Sequence, residues 1–387
     1  MLHTDLLAQC SSRPPVAASA AAQVTRRREL VACFPHALTS NPYLHLLYTS
    51  LAQAGLEQDR DAQFTVGWLW AARRRVRSLH IHWPDGLYRH ERGPRRLRGL
   101  LSWVKLGAFL VRLLTARLLR YRIVWTVHQV RPHETTSKLR DTIAALALGH
   151  LSHALITHER ATACHVQAEL HVPKRKLTVV PHGSYVGVYP RGRPRSAVRE
   201  ALRIPESNFV FLCFGELRAY KGVATLLDAF AGIPAGRAVT LIVAGHPKDR
   251  ALAETVQAAA AKDPRIVPIL RFTLPEEVTE LFDAADAAVV PRTDGGTSGS
   301  LVLALSLATP VIAAGVPGNV EVMSGARAGW FFQADDTASL GAALEIARSD
   351  RADAQARGKA GLQLALERPW AKTAARTAPL LMPTART

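Results

Sequence analysis

Short apolar strands alternate with helices along this sequence in two successive series, and this pattern limits the possible folds more than any other feature. A polar, proline-bearing stretch at 187–208 separates the two series. Strands that alternate with helices form parallel sheets covered by helices on both faces. The strand candidates are 29–34, 78–83, 122–128, 153–158 and 176–183, then 209–215, 239–245, 265–270, 287–291 and 310–315. The sequence therefore predicts an α/β protein with two doubly wound, Rossmann-like domains.

The length of 387 residues suits two domains of ordinary size. We expect residues 1–27 to form a flexible extension, because they combine adjacent prolines, charged residues and a mostly alanine apolar part that does not resemble a signal peptide. The first domain is expected at 28–190 and the second at 205–365. The C-terminal segment 366–387 is expected to return to the first domain.

The four cysteines constrain the chemistry and the compartment. Cys10, Cys33, Cys164 and Cys213 are scattered along the chain without the close pairing of metal ligands. This spacing indicates neither a zinc site nor a disulfide framework, and it fits a reducing cytoplasm.

The net charge of +18 points to an anionic partner. Much of the charge lies in 73–122, where the stretch 95–122 reads as a basic amphipathic helix. Its uncharged runs are much shorter than the ~20 apolar residues of a membrane span, so we expect it to lie on an anionic membrane surface. Nucleic acid is not expected as a partner, because no nucleic-acid-binding motif is present. The basic stripe comprises Arg95, Arg98, Lys105, Arg112, Arg117 and Arg120.

Polar residues cluster where the predicted strands end, which is the edge of such sheets where ligands bind. In the first half these segments are HIHWPDG (80–86), TVHQVRPHE (126–134) and PHGSY (181–185). In the second half they are FGELRAYKG (214–222), AGHPKD (244–249) and DGGTSGS (294–300). Histidines and carboxylates dominate one side, and basic and hydroxyl residues the other. This division favours a transfer reaction, with acid–base groups facing an acceptor and anion-binding groups facing a charged leaving group.

The turn before the apolar segment at 301–308 has the features of a phosphate site. A helix is expected to start near Leu301, so that free backbone N–H groups and the positive helix end can hold an anion. Arg218 and Lys221 would compensate the charge of a diphosphate and stabilise a departing nucleotide without a metal ion. The four residues of the turn are Thr297, Ser298, Gly299 and Ser300.

These motifs resemble those of GT-B glycosyltransferases. FGELRAYKGVATLL (214–227) and TSGSLVLALSLATPVIA (297–313) resemble the nucleotide-sugar domain of that family. Together with NPYLHLLY (41–48) and the strand-end segments of the first half, they resemble bacterial enzymes that build lipid-linked exopolysaccharide repeats, most of all the GDP-mannose:glycolipid β-mannosyltransferases of xanthan assembly. The resemblance covers roughly 29–375.

The resemblance implies a GT-B fold whose N-terminal domain binds the acceptor and whose C-terminal domain binds the nucleotide sugar. It implies transfer of mannose from GDP-mannose to a polyprenyl-diphosphate-linked oligosaccharide. The nucleotide sugar is a substrate, and no cofactor is expected. The enzyme would work in the cytoplasm, bound peripherally to the inner face of the plasma membrane.

The sequence departs from the retaining members of the family, which carry two acidic residues bracketing the phosphate turn. Asp294 lies near the first position and would contact the donor, but Leu303 occupies the second. The departure favours an inverting enzyme, in which a side chain of the first domain deprotonates the acceptor hydroxyl. Asp85 is the first candidate for this base, followed by Glu134 and His128.

Four further residues are expected on the acceptor side. Trp83 could stack on a sugar ring, and the others would orient or bind the acceptor. Two alternatives remain open at this point: a retaining hexosyltransferase that uses another nucleotide sugar, and a non-catalytic carbohydrate-binding relative. The four acceptor-side residues are His82, Trp83, His133 and His182.

Overall fold

The computed structural model describes residues 29–36, 41–91, 94–132, 135–292, 294, 296 and 298–382. The extension predicted at 1–27 lies outside the described residues. So do three of the predicted site residues, His133, Glu134 and Thr297.

The chain forms two six-stranded sheets, and every pair of neighbouring strands is parallel. The strand order is β2-β1-β3-β4-β5-β6 in the first sheet and β12-β11-β10-β7-β8-β9 in the second. The first sheet comprises β1 (Glu29–Phe34), β2 (Leu56–Gln58), β3 (Val76–Ile81), β4 (Arg122–Thr126), β5 (Ala154–Thr157) and β6 (Leu177–Val179). The second comprises β7 (Phe209–Phe214), β8 (Val239–Ala244), β9 (Ile266–Ile269), β10 (Ala287–Val290), β11 (Val311–Ala314) and β12 (Gly329–Phe332).

Helices connect the strands. Those before the second sheet are α1 (Tyr43–Gln53), α2 (Val66–Ala72), α3 (Asp85–Tyr88), α4 (Arg95–Leu118), α5 (Lys138–Leu151), α6 (Arg160–Leu170) and α7 (Arg195–Ala201). The later ones are α8 (Val223–Ala231), α9 (Arg250–Lys262), α10 (Pro275–Ala284), α11 (Gly299–Ser306), α12 (Pro317–Met323), α13 (Thr337–Ser349), α14 (Arg351–Leu366) and α15 (Trp370–Leu381).

The predicted α/β fold with two doubly wound domains is confirmed. All six residues of β8, the apolar run VTLIVA, are buried, as expected for a central parallel strand covered on both faces. The strands β2 and β12 were not predicted, because runs of three and four residues carry too little pattern to be recognised. Several strands are shorter at their carboxyl ends than predicted. For example, β3 ends at Ile81, so the polar residues that follow it are free to form a site.

The last helix, α15, packs on the first sheet. The Ser78 hydroxyl donates a hydrogen bond to the Leu381 carbonyl, and Arg122 Nε donates to the Leu380 carbonyl. Trp370 packs in one buried cluster with Tyr43 and other residues of the first domain. The two domains also meet through Glu321 of α12, whose carboxylate accepts the backbone N–H groups of Arg160 and Ala161 at 2.9 and 3.2 Å. These contacts connect the two sheets on one side of the cleft.

The basic helix α4 differs from its prediction in three respects. It ends at Leu118, so Arg120 lies beyond it, in a left-handed conformation with φ 62°. Lys105 Nζ donates to the Arg89 and Gly86 carbonyls at 2.6 and 3.3 Å, so its ammonium caps α3 rather than facing outward. By length and composition alone, Leu97–Leu118 is also apolar enough to cross a membrane, despite its short uncharged runs.

The packing of α4 explains this composition. One face, including Leu106, Phe109 and Leu113, packs in the core of the first domain. The opposite face is apolar and exposed, and the basic positions Arg98, Lys105 and Arg112, spaced seven apart, lie on the flank between the two faces. The exposed apolar side chains are Leu97, Leu100, Leu101, Trp103, Val104, Val111, Leu114 and Leu118.

Candidate active site

A cavity of about 1190 Å³ lies between the two domains, and residues that follow strands of both sheets line it. The first domain contributes Asp85 after β3 and His128 after β4. The second contributes Arg218 and Lys221 after β7 and Gly299 at the start of α11. The structure therefore brings together in one space predicted residues of both sides, Asp85 and His128 from the acceptor side and Arg218, Lys221 and Gly299 from the donor side.

The donor side is built around the end of β7. Ser300 Oγ donates to the Phe214 carbonyl at 2.9 Å, which ties α11 to this strand. Gly215 has a φ of 120°, and a Cβ atom built on it would lie 2.9 Å from Ser300 Oγ and 3.7 Å from Lys221 Nζ. The ammonium of Lys221 and the start of α11 therefore meet at this glycine, where a larger residue would clash.

Three cations of the second domain line the cavity close together. Arg218 Nε donates to Glu216 at 2.7 Å, and Arg292 pairs with Asp294. Burial lowers the pKa of the Lys221 ammonium to about 8, with the charge of Arg292 adding to the effect. Sequence reasoning missed Arg292, although it follows β10 directly and the same strand-end rule applies to it. Asp294 was expected to contact the donor, but in the structure it binds Arg292 and is not part of the cavity wall.

The start of α11 has the geometry of an anion site. The helix begins at Gly299, and the buried Ser298 caps it, its Oγ accepting the backbone N–H of Leu301 at 3.3 Å. Gly299 lines the cavity, so the first turn of the helix directs its unpaired N–H groups and positive end toward the cations described above. An anion bound here would contact both.

Asp85 is the first residue of α3 and lies half-buried on the cavity wall. Burial raises the pKa of its carboxyl group, and the positive charges of Arg89 and Arg218 oppose the rise. Arg218 belongs to the donor side and lines the same cavity, so its charge acts on this carboxylate from the second domain. A carboxylate with a raised pKa in this position can accept a proton from a bound hydroxyl.

Histidines and aromatic rings form the floor of the acceptor side. Trp83 stacks on His128 with ring centroids 3.9 Å apart and an interplanar angle of 7°. His82 Nδ1 is hydrogen-bonded to His128 Nε2 at 3.0 Å, but His82 is fully buried, so it reaches the cavity only through His128. Burial lowers the pKa of both rings well below the usual value for histidine, which makes His128 a weak base. His182 also lines the cavity, with Nδ1 2.6 Å from the Gly183 carbonyl oxygen.

Glu159 is a second carboxylate of the cavity, and sequence reasoning missed it. It lies two residues beyond β5, is 1% exposed, and accepts a hydrogen bond from Thr162 Oγ1 at 2.8 Å through Oε2. Its Oε1 has no hydrogen-bond partner among the described residues. Burial raises the pKa of this carboxyl group to about 7. The signal that could have found it is the strand-end position that also identified Asp85.

Within the described part of the chain, no group of three or more histidine, cysteine or acidic residues is arranged to hold a metal ion. The histidines of the acceptor side bind one another, Tyr43 and backbone carbonyls instead.

Comparison with known proteins relates the chain to glycosyltransferases. Residues 208–350 match the family model described as "Glycosyl transferases group 1". The chain is 29% identical over 318 residues to the GDP-mannose:glycolipid 4-beta-D-mannosyltransferase of Xanthomonas campestris pv. campestris, a match that spans 81% of this chain and 82% of that protein. The chain is a glycosyltransferase of the GT-B fold.

Solved structures share the fold of this glycosyltransferase. HepE of Anabaena, in complex with UDP-glucose, superimposes with a TM-score of 0.69 at 16% identity, over 91% of this chain and 99% of HepE. WaaG, a glycosyltransferase involved in lipopolysaccharide biosynthesis, superimposes with a TM-score of 0.63 at 14% identity, over 92% of this chain and 100% of WaaG.

Proposed function

We propose that this glycosyltransferase transfers mannose from GDP-mannose to a hydroxyl group of a lipid-linked oligosaccharide, with inversion and without a metal ion. The observation that carries the proposal is the single cavity with cations and a helix N-terminus on one wall and Asp85 on the other. The similarity to a mannosyltransferase whose name specifies GDP-mannose and a glycolipid supports the choice of substrates.

The donor wall accounts for the departure of the nucleotide. As the bond from the sugar to the diphosphate breaks, negative charge grows on the leaving oxygen. Arg218, Lys221 and Arg292 provide positive charge in a partly buried site, where its effect is larger than in water. In this proposal the nucleotide sugar is a substrate rather than a cofactor. The three cations stabilise the negative charge of the departing diphosphate in place of a metal ion.

The acceptor wall accounts for activation of the hydroxyl group. We assign the role of base to Asp85, which takes the hydroxyl proton while the hydroxyl oxygen attacks C1 of the sugar from the face opposite the departing GDP. Glu134 and His128 follow as candidates, and Glu159 joins them because of its position in the cavity. We assign contacts with the acceptor to Trp83 and His182, which line the cavity, and the orientation of His128 to His82. His133 stays a further candidate for acceptor binding from its sequence position alone.

Donor choice is tested by ligand-induced stabilisation. We expect GDP to raise the Tm of the protein more than UDP does, and GDP-mannose to support transfer to a short lipid-linked oligosaccharide with a β-linked product. Bound ligand stabilises by RT ln(1 + [L]/Kd), so equal concentrations of GDP and UDP rank their affinities. A larger shift with UDP, or an α-linked product, would favour a retaining hexosyltransferase with another donor. GDP binding without any transfer or donor hydrolysis would favour a non-catalytic relative.

We further propose that α4 rests on the anionic cytoplasmic face of the plasma membrane. Its exposed apolar face and basic flank match a helix that lies at a lipid interface. Because Lys105 is bound to backbone carbonyls, the apolar side chains are expected to contribute more to membrane binding than the charges do.

Membrane binding is tested with vesicles that contain phosphatidylglycerol. Replacing Leu100, Val104 and Val111 together by serine should weaken sedimentation with these vesicles about a hundredfold, at about 1 kcal/mol for each half-exposed side chain. The control carries serine at Leu274 and Ile346, exposed apolar residues of the second domain, and should sediment normally. Equal sedimentation of the two variants would contradict membrane binding through α4.

A further inference from the structure

A second basic group lines the cavity at the start of α5, apart from the donor cations. Its members, which we call the basic pocket, are Arg89, Arg98, Thr136, Ser137 and Arg140. Ser137 caps the 14-residue helix, its Oγ accepting the Arg140 N–H at 3.4 Å. All five residues belong to the first domain, whereas the donor cations belong to the second.

Arg140 carries the strongest indication of a ligand. Its side chain is 2% exposed, and one of its terminal nitrogens donates to Thr136 Oγ1 at 2.6 Å. Its Nε has no hydrogen-bond partner among the described residues and lies 3.9 Å from the nearest carboxylate oxygen of Asp141. A buried donor without a partner is costly by about 1–3 kcal/mol, and a bound oxyanion would remove that cost.

Close to the start of α5, the guanidinium groups of Arg89 and Arg140 share a single carboxylate, that of Asp141. Asp141 is buried and accepts hydrogen bonds from Arg89 Nε, at 3.1 Å, and from Thr135 Oγ1. The Asp141 carboxylate therefore compensates the charge of only one of two neighbouring guanidinium groups, those of Arg89 and Arg140. Arg98, elsewhere on the cavity wall, adds a third positive charge. The carboxylates of Asp85 and Glu91 also line the cavity, so an anion is expected at the α5 end, where Arg140 and the helix N-terminus lie and where Arg89 is held through Asp141.

The pocket adjoins the exposed apolar face of α4. Arg98, Gly99 and Trp103 of this helix line the same cavity, while Leu100 and Val104 stand exposed beside them. An anion in the pocket would therefore lie next to an apolar track that leads away from the site. This arrangement fits an amphiphile with an anionic head and a hydrocarbon chain better than it fits an acidic sugar or a free anion.

We infer that the basic pocket binds the phosphoryl groups of the lipid-linked acceptor, whose hydrocarbon chain leaves the cavity along α4. The inference rests on the proposed function, because it requires an acceptor attached to a lipid through a diphosphate. The cavity then holds two phosphate sites, one in each domain: the donor cations hold the nucleotide diphosphate, and the basic pocket holds the linker of the acceptor.

The inference is tested by calorimetric titration of the full chain with farnesyl diphosphate, with GDP present to fill the donor site. We expect binding at least about tenfold tighter than that of farnesol, farnesoic acid or inorganic pyrophosphate. Arg140→Gln should weaken it about ten- to hundredfold, and Arg98→Gln, at an exposed position, about fivefold. The matched control is Lys138→Gln, which removes an exposed charge of the same helix outside the cavity and should leave the affinity unchanged.

Each other outcome would overturn the inference. Equal affinity of the parent, Arg98→Gln and Arg140→Gln would exclude the pocket. Displacement of farnesyl diphosphate by GDP, or loss of farnesyl diphosphate binding in Lys221→Ala, would mean that farnesyl diphosphate binds in the donor site. Pyrophosphate or farnesoic acid binding as tightly as farnesyl diphosphate would mean a free-anion or carboxylate site. Because Arg140 is buried, its variant is compared with the parent by circular dichroism, and Arg98→Gln tests the pocket without altering the core.

Failure of the inference is distinct from failure of the proposed function. If the basic pocket has another role, sugar transfer from GDP-mannose persists, and the affinity for farnesyl diphosphate is unchanged in Arg98→Gln and Arg140→Gln. If the proposed donor is wrong, farnesyl diphosphate still binds in an Arg140-dependent way while GDP-mannose is not consumed.

Discussion

Replacing Asp85 by asparagine is expected to lower the rate of sugar transfer about 10²–10⁴-fold, the usual contribution of a general base. Asparagine keeps the shape of the side chain but replaces the basic carboxylate by a neutral amide, which does not accept the proton. Donor binding should be unchanged, because the nucleotide is held by the opposite wall. The measurement is kcat with saturating donor and acceptor, together with the affinity for the nucleoside diphosphate alone.

Glu159→Gln is the matched comparison, since Glu159 is the other carboxylate of the cavity with a raised pKa. A base must be deprotonated to act, so activity is lost as the pH falls through its pKa. If Glu159 were the base, kcat/KM would fall below a pH of about 7 and this limb would disappear in Glu159→Gln. Near-normal turnover in Asp85→Asn combined with that profile would transfer the role to Glu159.

The alternation of strands and helices predicted the two sheets, because a parallel strand buried on both faces must be a continuous apolar run. The positions of polar residues after the predicted strands also located much of the candidate site. Asp85, His128 and Lys221 lie in the segments that follow β3, β4 and β7, and the carboxyl ends of parallel strands meet at one edge. Glu159 and Arg292 also follow strands, and the structure adds what their sequence context lacks, which is their place on the wall of the cavity between the domains.

Other features depend on packing between distant elements and could not be derived from local pattern. The sequence shows that Lys105 lies on a basic stripe, but its ammonium binds the end of α3 because α4 packs on that helix. The missing partner of Arg140 Nε likewise results from the contact of α4 with α5 and from the pairing of Arg89 with Asp141. The sequence shows where charged residues lie along a helix, whereas tertiary contacts determine which of them remain available to bind a ligand or a membrane.

Replacing Lys221 by alanine is expected to reduce kcat/KM for the donor by about 30-fold to 10³-fold, equivalent to roughly 2–4 kcal/mol of transition-state stabilisation. Its ammonium is buried beside Gly215 and faces the charge that grows as the diphosphate departs. Arg218→Ala should show a loss in the same range. Folding stability should not fall in Lys221→Ala, because burial already disfavours the charged side chain, as its lowered pKa indicates. Lys262→Ala, an exposed position on α9, is the control and should behave like the parent.

The pH profile separates a role in charge stabilisation from a merely structural one. Lys221 must be protonated to stabilise the leaving group, and its pKa in the unliganded protein is lowered to about 8. We therefore expect kcat/KM for the donor to decline as the pH rises through about 8, since this parameter reports ionisation of the free enzyme. Lys221→Arg keeps its charge at this pH, so any activity that it retains should lack the alkaline limb. An unchanged alkaline limb in an active Lys221→Arg, or normal turnover in both alanine variants, would place the diphosphate outside this cluster of cations.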